Sequence, residues 1–171
     1  IVLPDRTRAV LLTEKDPGEP SLADFWSGYL LTSRLPGTNR LLLGDFRPGF
    51  GQGLIFSRQD RAASGLSFAG PRQTGRIGYR SSVENGRLRG LFAEGRAGRL
   101  TWILIGSRTA WDAALDPASV AHIRKGGQHV TETERIRKDA LKERLTAVRL
   151  TWERPRVRIG ATAVRTVFNS P

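Results

Sequence analysis

Three pairs of apolar-rich segments in this chain double back through short turn-forming stretches, while the connections between the pairs are long. Residues 24–34 and 40–46 flank Leu35-Pro36-Gly37-Thr38-Asn39, residues 87–94 and 99–108 flank Gly95-Arg96-Ala97-Gly98, and residues 144–152 and 157–164 flank Glu153-Arg154-Pro155-Arg156. Gly, Pro and Asn preset turn backbone, so each pair reads as a β-hairpin. In the third pair Val148, Leu150 and Trp152 alternate with Ala147, Arg149, Thr151 and Glu153. Val157, Ile159, Ala161 and Ala163 then alternate with Arg158, Gly160, Thr162 and Val164. A period of two gives a strand two chemically different faces. Residues 6–13 add a short strand ending in Val10, Leu11 and Leu12, for a total of about seven.

The long connections are residues 14–23, 47–85 and 109–143. Short turns on one side and long loops on the other are the pattern of transmembrane β-barrels. The segments are long enough to cross the hydrocarbon layer as tilted strands. Trp102 and Trp152 lie near short turns, where an aromatic girdle would sit. A soluble antiparallel barrel or sandwich alternates in the same way, but it would have to carry two very long loops. The expected fold is mainly β: antiparallel β-hairpins forming a transmembrane β-barrel or part of one, in a single domain over residues 1–171, with long loops and one short helix. Single-chain bacterial barrels close with an even number of strands, so an odd count suggests part of a larger barrel. The helix is expected at 131–143, where Thr131 and Glu134 form a capping box, Ile136, Ala140 and Leu141 share a face, and Glu134 precedes Lys138 by one turn. Residues 47–85 read as a long inner or external loop.

The stretch 45–56, DFRPGFGQGLIF, sets Gly49, Gly51 and Gly53 among aromatic and apolar neighbours. It lacks the spacing of a dinucleotide fingerprint and the Gly-Lys-Ser/Thr ending of a P-loop. Alternate glycines suit a bend or a close backbone approach. Directly after the first hairpin, they mark a point where a strand ends or turns inward. Replacing Gly51 or Gly53 by valine is expected to disturb assembly and no catalytic step.

The net charge is +12, from 28 Lys+Arg against 16 Asp+Glu, and most of the excess is arginine. Arginine binds phosphate through a bidentate fork, which makes nucleic acid and lipid headgroups natural partners; GC-rich coding would produce the same bias. Arg149, Arg158 and Thr162 fall on the non-apolar faces of their strands, and Arg87 shares a face with Arg89. In a membrane barrel these would face the lumen, because a basic side chain toward lipid near the midplane costs about 2–4 kcal/mol. Arg87, Arg89, Arg149 and Arg158 are therefore the candidate polyanion-facing residues. The alternative is a packed polar interior in which they pair with Glu84, Glu94, Asp45 and Glu153.

The longest run of large apolar residues is Trp102 to Ile105, far short of a membrane-spanning helix. Without cysteine there is neither a disulfide framework nor a thiolate metal site. His122 and His129 are the only histidines, and Asp112 or Asp116 would have to fold back to complete a metal site. Their spacing lacks the logic of a ligand set, so they read as loop residues, with Asp112 and Asp116 in a capped turn. No G-x-S-x-G, H-E-x-x-H or Ser/His/Asp constellation is present, so neither an enzyme nor a cofactor is expected. Ile1 at the first position suggests a processed, trimmed or internal segment.

Residues 44–54, GDFRPGFGQGL, resemble a motif of helix-hairpin-helix-containing, competence-receptor-like outer-membrane proteins of Bacteroidota- and Gemmatimonadota-type bacteria. Glu14-Lys15-Asp16-Pro17-Gly18-Glu19 with Asp24-Phe25 is similar to that family's loop before the first hairpin. Residues 79–85 with Arg87-Leu88-Arg89-Gly90 resemble its loop-to-strand entry, and His129-Val130-Thr131 with Glu134, residues 137–141 and Glu143 resembles its helical loop segment. Residues 59–74 are shorter and more polar than the family pattern. No helix-hairpin-helix lies in the chain, so its DNA-binding residues do not carry over. The resemblance implies a barrel segment in the outer membrane of a Gram-negative-type bacterium, in contact with lipid. Its role would be structural or pore-forming, with uptake of an anionic polymer such as DNA. The alternative is a soluble, cytoplasmic basic β-domain that stacks nucleic-acid bases on Phe25, Trp26 and Tyr29.

Overall fold

The structure, a computed structural model, describes residues 2–3, 7–14, 25–33, 35–50, 55–56, 77–81, 86–116, 119–123 and 139–169. They contain β1 (Val2–Leu3), β2 (Thr7–Glu14), β3 (Phe25–Thr32), β4 (Arg40–Phe46), β5 (Leu88–Ala97), β6 (Leu100–Trp111), β7 (Ala113–Asp116), β8 (Ser119–Ile123), β9 (Leu141–Arg154) and β10 (Val157–Asn169). The two-residue β1 and seven longer strands form one antiparallel sheet in the order β1-β2-β3-β4-β5-β6-β9-β10. The β7–β8 pair forms a separate ladder between β6 and β9. Strands adjacent in the sheet are thus adjacent in the chain apart from that excursion, and β1 and β10 each have one neighbour among the described residues. The fold is mainly β.

All three expected hairpins form; the second and third turns are tighter than the residue types suggested, and the first is wider, its ladder ending at Thr32↔Leu41. Gly95 pairs with Trp102 inside the β5–β6 ladder, and the chain reverses at Gly98, whose φ is 59°. The β9–β10 ladder runs without a break from Val157↔Arg154 to Asn169↔Lys142.

The helix expected at 131–143 needs correction at its C-terminal end. Leu141, Lys142 and Glu143 are strand residues of β9, paired with Trp111, Ala110 and Thr109 of β6. Leu141, Glu143, Leu145 and Ala147 are buried, and the residues between them are exposed. This period of two satisfies a sheet face and overrides the short helical pattern. Asp139 precedes the strand with φ 54°, a value that a continuing right-handed helix excludes. Residues 131–138 lie outside the described residues. No helix occurs among the described residues.

One face of the sheet carries the core. Leu31, Leu42, Phe92, Ile105, Ala147 and Val164 form a continuous row across β3, β4, β5, β6, β9 and β10. All six belong to or pack against a single apolar cluster with Tyr29, Phe46, Phe50 and Ile77. Phe46 meets Phe92 edge-on, their ring centroids 6.0 Å apart, a favoured aromatic geometry. Ile105 is almost wholly buried in this row. Ile105→Val should therefore lower stability by about 1 kcal/mol, the usual cost of one buried methylene, read as a shift of the denaturant midpoint.

Candidate functional site

The glycine-aromatic stretch acts at a split in the sheet. The β3–β4 ladder ends at Tyr29↔Gly44, and residues 77–79 take the place of β3 alongside the end of β4. The amide of Arg47 donates to the Ile77 carbonyl at 2.9 Å, and that of Tyr79 donates to the Asp45 carbonyl at 3.0 Å. Gly78 passes so near Tyr29 that an added Cβ would sit 2.2 Å from the ring. The Arg80 Nε donates to the Tyr29 hydroxyl at 2.9 Å, which fixes the inserted segment to β3.

Asp45 closes the split with its side chain. Its Oδ2 accepts the Gly28 amide of β3 at 2.9 Å and the Arg89 Nη2 at 3.0 Å, and its Oδ1 accepts the Arg89 Nε at 2.7 Å. The Arg87 Nε lies 3.5 Å from Oδ1. A carboxylate with no solvent exposure is costly to bury unless it is paired and hydrogen-bonded. Here a bidentate arginine, a second arginine and a backbone amide meet both conditions.

Beyond this clasp the chain enters the core face. Pro48 and Phe50 are buried, and Phe50 bridges Phe56 with ring centroids 5.0 Å apart. Gly49 lines the hollow described next. Gly51 and Gly53 lie outside the described residues.

The hollow lies between this segment and the turn-proximal half of the sheet, and encloses about 310 Å³. The register puts Arg40, Glu94, Ile103, Arg149 and Thr162 in one row across five strands. The Arg40 Nε donates to the Glu94 Oε2 at 3.0 Å. The Arg149 Nη1 donates to the Thr162 hydroxyl at 2.8 Å, and its guanidinium lies 5.6 Å from the Phe50 ring centroid. Thr101 and Thr151 follow along the wall, and Glu153 pairs with Arg158 nearer the turns. Three arginines face two glutamates here, leaving a small positive excess.

Of the four candidate arginines, Arg149 and Arg158 come together in this hollow. Arg87 and Arg89 do not join them: both converge on Asp45. The Arg87 guanidinium covers Phe25 at 4.3 Å from the ring centroid, and that of Arg89 covers Trp26 at 3.8 Å. Arg40 was missed because it stands at the first position of its strand, and only the register aligns it with Glu94 and Arg149.

The base-stacking surface expected from Phe25, Trp26 and Tyr29 needs correction. Phe25 and Tyr29 point into the core at 6% exposure each, because alternate residues of one strand cannot share a face with Trp26. Only Trp26 is exposed, and Arg89 already covers it.

The loop reading of residues 111–117 also changes. Trp111 ends β6 and donates its indole N–H to Glu143 at 2.6 Å. Asp112 is buried and accepts the Asp139 amide at 3.0 Å, so it ties together the ends of β6 and β9. Asp116 and His122 belong to the β7–β8 ladder, and His129 lies outside the described residues. Among the described residues no three His, Cys, Asp or Glu side chains gather into a metal-binding group. No family model, curated protein or solved structure matches the chain.

Proposed function

We propose that the chain is a segment of an outer-membrane β-barrel, with its apolar face toward lipid and the Arg149 hollow toward the lumen. The observation that carries this reading is the polarity of the sheet. Across the outer face, Leu43 pairs with Leu91, Leu104 with Val148, Trp102 with Leu150, and Leu100 with Trp152 and then Ile159. Leu43, Leu104, Leu150 and Ile159 are each more than 40% exposed. Contiguous exposed apolar rows mark an interaction surface in a soluble protein and the lipid band in a barrel. The row of Arg40, Glu94 and Arg149, in contrast, faces inward around the hollow, and the basic residues of the outer face, Arg108, Arg144, Lys142 and Arg165, lie at its loop end.

Trp102 and Trp152 on the rows nearest the short turns suit an interfacial girdle. The outer edge of β10, a strand of 13 residues with no second neighbour among the described residues, is the kind of edge that further strands of a larger barrel would cover. The role is structural or pore-forming. Together with the resemblance of residues 44–54, the excess of arginine makes an anionic polymer such as DNA the proposed cargo.

The test is partition. The protein is expected to enter the detergent phase and to migrate on gels in a heat-modifiable way. A protein that stays in the aqueous phase without detergent and binds single-stranded DNA in a salt-dependent way would sink this reading. Leu104→Arg, farther from the turns than the girdle row, provides a second check. It should lower stability in the bilayer by about 2 kcal/mol if position 104 faces lipid, and change little if the face is solvated.

A further inference from the structure

Where the apolar outer face meets the loop side of the sheet, Arg108 and Arg144 stand together without counter-charges of their own among the described residues. Arg108 and Arg144 are direct Cα partners on β6 and β9, and both are exposed on the outer face. Like charges placed opposite each other on a sheet are destabilising. Neither has a carboxylate partner among the described residues. Exposed Lys142 and Arg165 flank them on the same face through the pairs Ala110↔Lys142 and Thr146↔Arg165. The inner face at the same level carries Glu143, which is buried and bound to Trp111, so it does not neutralise them.

Beside these cations runs a shallow groove lined by Leu43, Arg89, Leu91, Gly106, Arg108, Arg144 and Thr146, of which Arg89 is already held by Asp45. Its floor is Gly106, where an added Cβ would meet nothing within 4 Å. The groove leads from the arginine pair toward the exposed Leu104–Val148 row. It therefore offers two chemistries in sequence: a forked cationic site that matches phosphate geometry, then an apolar track.

We propose that Arg108 and Arg144 bind the phosphate of an anionic lipid headgroup, with the adjoining acyl chain lying in the groove over Gly106. The site deepens the membrane reading and rests on it. A phosphate between the two guanidiniums removes their repulsion, and the acyl chain covers surface that the missing Gly106 side chain leaves open. Exposed basic residues near a membrane surface are attracted to anionic lipid, and the paired geometry makes this pair the focus.

The experiment compares lipid retention by the detergent-purified protein. Phosphatidic acid and phosphatidylcholine are offered in equal amounts, and bound lipid is counted by native mass spectrometry. At least tenfold preference for phosphatidic acid is expected. The preference should fall to near unity in Arg108→Ala/Arg144→Ala, and retention of both lipids should drop in Gly106→Leu, which fills the groove and keeps the charges. Inorganic phosphate at the same concentration should displace little lipid. Equal retention of the two lipids, or unchanged preference in the double variant, overturns the site. Full displacement by inorganic phosphate, or full retention by Gly106→Leu, overturns the acyl-chain track. Heat-modifiable migration of each variant reports separately on barrel formation, so failure of the membrane reading is distinguished from failure of the lipid site.

Discussion

Asp45→Ala should cost about 3 kcal/mol or more in stability, measured as the loss in denaturation free energy. The carboxylate has no solvent exposure, and it holds the Gly28 amide of β3, which the β3–β4 ladder leaves apart, to the end of β4 and to Arg89, its ladder partner on β5. Removing one partner of a buried ion pair costs about 3–5 kcal/mol, because the remaining charge is left desolvated. Arg87 has only 16% of its side chain exposed, but it keeps its contact with the Phe25 ring. Arg89 is 35% exposed and stacks on Trp26, which softens its part and places the expected cost at the lower end. Asp45→Asn keeps an acceptor for Gly28 and should fall between wild type and Asp45→Ala. A double-mutant cycle with Arg89→Ala should return a coupling above about 1 kcal/mol, as expected for hydrogen-bonded charges in contact. A loss below 1 kcal/mol in Asp45→Ala would mean that the clasp does not hold the split.

Gly44→Val should prevent stable folding, whereas Gly106→Val should be tolerated. Gly44 has φ 111°, and a Cβ there would stand 2.2 Å from the Gly28 carbonyl oxygen and 2.8 Å from the Tyr29 Cα. Both obstacles are backbone of the adjacent strand, so no rotamer change relieves them. A β-branched residue at positive φ is strained in its own right. Together the two effects should cost on the order of 4 kcal/mol, a large share of a typical domain's stability. Gly106 lies on the opposite face, with open space where its Cβ would go, and serves as the matched control. Folded Gly44→Val with a wild-type denaturation midpoint would refute the close approach of β3 and β4.

The three hairpins were legible because their strands alternate strongly and their turns contain Pro, Gly or Asn. The two faces of β9 could be assigned residue by residue, and Ala147 and Arg149 do lie inward while Val148 and Leu150 lie outward. The sequence around 141–143 misled because Ala140 and Leu141 fit a helical stripe as well as a strand start. Pairing with Thr109–Trp111, more than 25 residues away, decided for the strand. The sequence places Arg87 and Arg89 on one side and offers Asp45 among four possible carboxylate partners; only the structure shows that both converge on it.

Local pattern therefore determined the three hairpins, the two faces of β9 and the excess of arginine on this chain, but not β7 and β8, which fall in a stretch that reads as a loop. Only tertiary structure decided which cations are paired. Asp45 takes Arg89 because the β4–β5 register sets them opposite each other, and it takes the Gly28 amide because residues 77–79 displace β3 there. Arg108 and Arg144 oppose each other because the β6–β9 register brings them level. Both outcomes depend on contacts between distant segments: periodicity sets the side to which a residue points, and register sets what it meets there.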